Sequence, residues 1–440
     1  MRKILKKIPT HFYVILSGWV SRVIVAPVQL IAIPVFYQKL GLHDFAIFTV
    51  ITSLTAWYAL MDFGMGTSLQ NYISEYRAHN KNPAELLTSI FPLLLFLMLV
   101  LAGCIILLGN ILQKWLFSNI PNTLSYINFD VSLILYCWYY VLLISSKIFF
   151  AYQKGFWGYF YQSIAYIVLL FFMAVIYFFH IPLSLSQALY FWIIPLFLSG
   201  LLGFIHSFEA AGAEFKIFHW DKLFYGKLTN RALQFWLFSV SSNGVLAIDY
   251  IIIVKLLSAK DIVIYNVISK IFIAMLYGYI TILSALWPIL AEHYAKKTVE
   301  ENNLAERALR KSIAGGVLYM TLATAAIVIF RTELVQLFRM QGSIILPVSL
   351  IVLFGVYGCV RVWTDTYGAA LQSRNKMRIF LIQTPIHAVI AIAAMLLLAR
   401  FNLTGVMLAL IGSFLLMPSW LLPYYHYKQL SKQKMTQLNV

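Results

Sequence analysis

Between Phe12 and Tyr37 a single charged residue, Arg22, interrupts an otherwise apolar run, and eleven further runs of similar character follow along the chain. A helix needs about 20 apolar residues to cross the ~30 Å hydrocarbon core of a bilayer. A soluble protein can hide one such run inside itself. It cannot hide twelve, because too little polar sequence is left to cover them. Of the 440 residues, 61% are hydrophobic and only 11% are charged, whereas soluble domains are roughly 45–50% apolar and about 25% charged. The expected class is an all-α integral membrane protein of about twelve transmembrane helices. The spans are expected near 12–36, 44–71, 86–109, 129–152, 158–180, 187–206, 231–256, 262–290, 312–331, 346–371, 379–399 and 403–425. Met1 to Ile8 has the basic character of a signal-peptide start. The run after it is too long for a cleaved leader and has no small-residue cleavage site, so it reads as an uncleaved first span.

Orientation follows from Lys and Arg, which concentrate on the cytoplasmic side of membrane proteins. With the N-terminus placed in the cytoplasm, 22 of the 33 Lys and Arg fall inside, 7 outside and 4 within spans. Both termini are therefore expected to be cytoplasmic. The same bias explains a net charge of +17 without nucleic acid as a partner. These side chains meet the anionic headgroups of membrane lipids.

The chain also repeats. Shifted by 217 positions, Leu40 to Thr52 overlays Leu257 to Ser269, with Asp44 on Asp261, Phe48 on Tyr265 and Val50-Ile51 on Val267-Ile268. Glu75 falls on Glu292 and Ala78 on Ala295. Both copies run in the same direction across the membrane, which implies two pseudo-symmetric six-helix lobes around a central cavity. The expected division is an N-lobe over 1–206, a cytoplasmic amphipathic linker over 207–230, a C-lobe over 231–425 and a cytoplasmic tail over 426–440. Within the linker, Ile217, Trp220, Phe224 and Leu228 share one helical face, as in a helix lying on the inner leaflet.

Seven charged residues sit inside the spans: Arg22, Asp62, Lys147, Asp249, Lys270, Arg361 and Asp365. A charge at the bilayer centre costs at least ~2.5–3.5 kcal/mol on insertion scales, so it faces water or a partner and usually has a task. Four are cationic, which suits an anionic substrate. Arg22, Lys270, Arg361 and Lys147 are the candidate substrate ligands, with Gln29 on the Arg22 face. No acidic residue lies three or four positions from Arg22 or Lys270. Lys147 and Lys270 alternatively snorkel to the nearer membrane surface. Arg361 and Asp365 are four apart and face together, so they alternatively form a structural pair. Asp249, Asp62 and Asp365 are candidates for ion coupling or for structural pairing. Asp249 has no basic residue three or four positions away and needs an interhelical partner, a cation or a proton. The glycines after Asp62 permit close helix approach.

Other motifs carry nothing. Asp62-Phe63-Gly64 matches a kinase magnesium motif without the rest of a kinase. No phosphate-binding loop, zinc-spaced His pair or paired cysteine pattern occurs, so no cofactor is expected. Gly315-Gly316 reads as helix packing. No soluble domain is inserted that would house an active site, so the chain is not expected to be an enzyme.

Tyr37-Gln-Lys-Leu-Gly41, Phe45-Ala-Ile-Phe48, Leu60-Met-Asp-Phe-Gly-Met-Gly-Thr-Ser-Leu69 and Glu75 resemble the opening of Wzx-type O-antigen flippases. These belong to the polysaccharide-transport branch of the superfamily that also holds MATE exporters and lipid II flippases. Ala370-Leu-Gln-Ser-Arg-Asn-Lys376 resembles that family's short basic connection, and Ala46 departs from the glycine many relatives carry. The resemblance implies a substrate, an undecaprenyl-pyrophosphate-linked oligosaccharide, moved outward across the bacterial inner membrane by alternating access. It further implies protons or cations as coupling ions and the polysaccharide polymerase machinery as a partner. Arg22 and Lys270 resemble basic positions of lipid II flippases. The alternatives are a MATE-like small-molecule exporter, which an excess of intramembrane cations opposes for cationic drugs, and a membrane polymerase or ligase.

Overall fold

A computed structural model describes residues 10–78, 81–118, 129–217, 222–296, 298–337, 345–374, 376 and 378–438. Every regular element among them is helical. In chain order these are α1 (Thr10–Ser53), α2 (Thr55–Tyr58), α3 (Met65–Ala78), α4 (Ala84–Leu116), α5 (Phe129–Leu142), α6 (Ile144–Ala151), α7 (Phe156–Phe178), α8 (Leu185–Glu209) and α9 (Lys222–Leu246). There follow α10 (Asp249–Leu256), α11 (Ala259–Lys296), α12 (Val299–Ile329), α13 (Arg331–Leu337), α14 (Val348–Ser373), α15 (Arg378–Leu398), α16 (Asn402–Leu416) and α17 (Pro418–Leu438).

Nine helical stretches among the described residues are long and apolar enough to cross a membrane, or ten if α9 and α10, bent by 51°, count as one. Two of the nine, Leu16–Asp62 and Arg378–Ser431, run for 47 and 54 residues. At 1.5 Å per residue, each is about twice as long as one crossing needs. Each is broken inside by a residue with positive φ, Gly41 at 72° and Asn402 at 59°. Twelve crossings, as the sequence suggests, follow if α9 and α10 count as one span and each of these two stretches turns back across the membrane at its break.

The chain divides into two compact units, Met1–Val240 and Ser241–Val440. The boundary falls inside α9. The expected linker is not a separate helix among the described residues: Ile217 lies in irregular chain, and from Lys222 onward the segment is the first half of α9. Leu228 is fully buried. Trp220 of the expected interfacial face and residues 119–128 of the longest outer connection lie outside the described residues.

Each unit turns large aliphatic side chains outward, as Leu107, Leu397 and Val389 do. Lipid tails are as apolar as these side chains, so helix association relies on close packing and internal polar contacts. In the first unit α7 packs between α1 and α8, and α5 packs against α8. In the second, α14 lies against α11, α12, α16 and α17. Small residues allow the approach: a Cβ on Gly316 would come within 2.4 Å of the Tyr279 ring, which matches the packing role read for Gly316, whereas Gly315 meets open space.

The second expected span is interrupted. After α2 the chain makes one 3-10 turn, Ala59–Asp62, and then Phe63 and Gly64 both take positive φ, 49° and 74°. Asp62 restarts the helix by accepting hydrogen bonds from the backbone N–H of Gly64 at 2.8 Å and Gly66 at 3.1 Å. A carboxylate in this position satisfies donors that a helix start leaves unpaired. The break is locked against α9. A Cβ on Gly64 would lie 2.3 Å from the Ala232 carbonyl oxygen. Phe63 stacks on Trp236 at 5.5 Å, and the Trp236 indole N–H donates to the Leu60 carbonyl. Gly64→Ala therefore meets both a left-handed backbone and a direct overlap, and is expected to cost at least about 1–3 kcal/mol. Gly41→Ala meets open space and carries only the backbone penalty of a φ of 72° with a ψ of −176°, about 1–3 kcal/mol. Melting temperatures in detergent check the order: Gly64→Ala falls well below Gly41→Ala.

Candidate functional site

In the first unit, Arg22 is exposed on α1 at membrane depth. The helix is fixed to α7 beside Arg22 and again two turns further on. Ser21 lies 3.5 Å from Gln162, and Gln29 donates through Nε2 to the Tyr166 hydroxyl at 3.1 Å. An exposed guanidinium at this depth faces water rather than lipid. Asp62 and Lys147 come together at the start of α3. A Cβ on Gly66 would lie 2.8 Å from Asp62 Oδ2 and 3.3 Å from Lys147 Cγ, and the ammonium of Lys147 acts electrostatically on Asp62. Both Asp62 oxygens already serve the helix start, so its local role is a cap with a nearby counter-charge.

In the second unit, Asp249 opens α10, immediately after the bend that follows α9. It is buried, and its oxygens accept from the Tyr250 backbone N–H at 2.9 Å and from the Tyr265 hydroxyl of α11. Its partners are thus neutral, and the N-terminus of α10 adds a favourable dipole. Tyr250 in turn shares its hydroxyl with Asn266 at 3.2 Å and Ser269 at 2.9 Å. Arg361 and Asp365 do face together on α14. The guanidinium donates from Nε and Nη2 to Asp365, at 2.9 Å for the shortest contact, and from Nη1 to the Tyr357 hydroxyl at 3.1 Å. His387 of α15 reaches Ser413 of α16 at 3.1 Å. Lys270 is partly buried on α11 and makes no hydrogen bond or ion pair with any described residue.

No family model matches the chain. Curated relatives do. The chain is 32% identical over 429 residues to a protein of Salmonella typhimurium named as an O-antigen transporter, covering 96% of this chain and 98% of that one. It is 32% identical over 441 residues to a Yersinia pseudotuberculosis protein named as an O-antigen export protein, covering 95% and 96%. This chain belongs to the O-antigen transporter family. The transporter's fold is that of a wider superfamily. An inward-facing multidrug MATE transporter of the MOP superfamily superposes with a TM-score of 0.76 at 13% identity, covering 94% of this chain and 96% of that one. The lipid II flippase MurJ in an inward closed conformation gives 0.69 at 14%, covering 96% and 90%. The transporter is a multi-pass membrane protein and not an enzyme.

Sequence reasoning overlooked the tyrosines that hold the charged residues. Tyr357 was within reach of it, being four positions before Arg361 on the same face, the rule that paired Arg361 with Asp365. Tyr265 was not, because its approach to Asp249 depends on how α10 turns into α11.

Proposed function

We propose that the transporter is a flippase for a saccharide repeat unit linked to undecaprenyl pyrophosphate, carried from the cytoplasmic to the periplasmic leaflet of the bacterial inner membrane by alternating access. The observation that supports this most is Lys270, a cation at membrane depth with no carboxylate partner among the described residues. It suits an anionic headgroup, and so, taken by itself, does the exposed Arg22 of the first unit. Arg offers a planar fork for phosphate oxygens and Lys a point charge. The prenyl tail stays in lipid while the sugars and pyrophosphate travel through water. An inside-negative potential favours outward movement of negative charge by ~2.3 kcal/mol per charge per 100 mV. Expression in a flippase-null strain is expected to restore full-length surface polysaccharide. A protein present in the membrane that restores none overturns the reading.

Orientation rests on the Lys and Arg bias. Reporter fusions at Lys81, Lys222, Asn302 and Lys432 are expected to report cytoplasm, and fusions at Asn119 and Gly342 the outside. A periplasmic signal at Lys222 contradicts the scheme.

Return of the empty carrier is assigned to Asp249, a buried carboxylate without a cationic partner among the described residues, which takes up a proton or cation as the cycle turns. Asp249→Asn keeps an acceptor for Tyr265 and is expected to preserve the fold. Transport in proteoliposomes should slow and lose its dependence on pH or on the coupling cation. Unchanged turnover with an unchanged pH profile removes Asp249 from coupling.

A further inference from the structure

Tyr58, Tyr136, Tyr139, Tyr140 and Tyr166 meet inside the first unit. Tyr58, in the interrupted second span, stacks on Tyr136 of α5 with ring centroids 5.0 Å apart and lies 6.0 Å from Tyr140. Tyr139 stands edge-on to Tyr140 at 5.1 Å. Tyr166 of α7 places its hydroxyl within electrostatic reach of Tyr136, Tyr139 and Tyr140. Three separate stretches of chain thus bring phenols to one place at membrane depth.

A buried phenol ordinarily finds a hydrogen-bond partner, because an unpaired hydroxyl in apolar surroundings is costly. Tyr58 donates to the Ile51 carbonyl at 3.1 Å. Tyr140 bonds the exposed Thr55 beside the helix break. Tyr136 has a fully buried hydroxyl with no hydrogen-bond partner among the described residues. Tyr139 makes no hydrogen bond to any described residue. Phenylalanine would fill either position without leaving a polar group unsatisfied, so packing does not account for the two hydroxyls. None of Tyr58, Tyr136, Tyr139 and Tyr140 pairs with a charged side chain among the described residues. The cluster has an open edge, since Tyr140 is half-buried and its partner Thr55 is exposed. Aromatic faces beside unspent, uncharged hydroxyls match a neutral sugar, which offers C–H faces and hydroxyl groups of its own.

We propose that Tyr136, Tyr139 and Tyr140 form a saccharide subsite that receives an uncharged sugar ring of the transported headgroup. The subsite rests on the flippase reading above and is separate from the cationic side chains assigned to the pyrophosphate. Gly200 makes room for it: a Cβ there would lie 2.9 Å from Tyr139 Cδ2.

The test uses the purified full-length transporter and two probes, a prenyl pyrophosphate bearing one neutral hexose and the same prenyl pyrophosphate without sugar. Tyr136→Phe and Tyr139→Phe are each expected to weaken binding of the glycosylated lipid by roughly three- to tenfold, the worth of one neutral hydrogen bond. Binding of the bare lipid should not change. Tyr136→Phe should melt at or above the wild-type temperature, because it removes an unsatisfied hydroxyl. A purely structural role predicts the opposite pattern, a lower melting temperature and equal loss for both lipids. The subsite is overturned by that pattern, by variants that bind both lipids as the wild type does, or by a wild type that binds the glycosylated lipid no tighter than the bare one. Lys270→Ala separates the two claims. It should weaken both probes, and if it weakens neither, the pyrophosphate assignment fails while the sugar comparison still decides the subsite.

Discussion

Arg22→Ala combined with Lys270→Ala is expected to abolish surface polysaccharide in a complemented flippase-null strain while leaving the protein in the membrane. A hydrogen bond to a charged group is worth about 1.5–3 kcal/mol, so either single loss should weaken substrate binding roughly ten- to a hundredfold. Arg22 is exposed and Lys270 has no ion-pair partner among the described residues. Removing Lys270 therefore strands no buried carboxylate, and the protein should stay folded. Arg22→Lys should recover only part of the loss, because it keeps the charge and gives up the bidentate fork. Immunoblots of the membrane fraction must accompany the polysaccharide profile. Two well-expressed alanine variants that restore full-length polysaccharide would refute the assignment of these residues to the pyrophosphate.

The second large effect belongs to the pair on α14, and it is an effect on folding. Arg361 and Asp365 have side chains only 15% and 26% exposed and contact each other at 2.9 Å. Removing one partner leaves the other as a lone charge in the membrane. Breaking a fully buried pair costs 3–5 kcal/mol, and the residual exposure here places the cost near the lower end, about 3 kcal/mol. Asp365→Asn or Arg361→Gln alone should sharply reduce the amount of folded protein. The double substitution should restore much of it, because both charges are gone. If Arg361 instead serves the substrate directly, Arg361→Gln would leave the protein abundant and transport impaired, and adding Asp365→Asn would rescue nothing. Fluorescence-detection chromatography of solubilised membranes distinguishes the outcomes.

These residues show what the chain discloses by itself. Membrane class and helical architecture were legible because apolar runs and their flanking Lys and Arg are local features. Arg361 with Asp365 was legible because both lie on one helix, where i and i+4 must meet. The role of Asp62 was hidden, since it depends on a helix break stabilised by Gly64 lying against Ala232, far away in sequence. The surroundings of Asp249 were hidden because they depend on how α10 turns into α11, which brings Tyr265 back to it. The linker over 207–230 was drawn as a separate helix because its apolar spacing is helical, and that spacing does not reveal that Lys222 onward continues into the next span. The tyrosine cluster carries no charge, so nothing marks it among 27 tyrosines until the helices are packed.

Movement of a lipid-linked saccharide across a bilayer is the activity proposed for this chain. Purified transporter in proteoliposomes, loaded with fluorescently labelled undecaprenyl-pyrophosphate oligosaccharide in both leaflets, measures it directly with a membrane-impermeant quencher. The protected fraction is expected to become accessible at a rate that rises with transporter content and falls with Arg22→Ala and Lys270→Ala. A protected fraction that persists as in empty liposomes, with correctly folded transporter present, would contradict it.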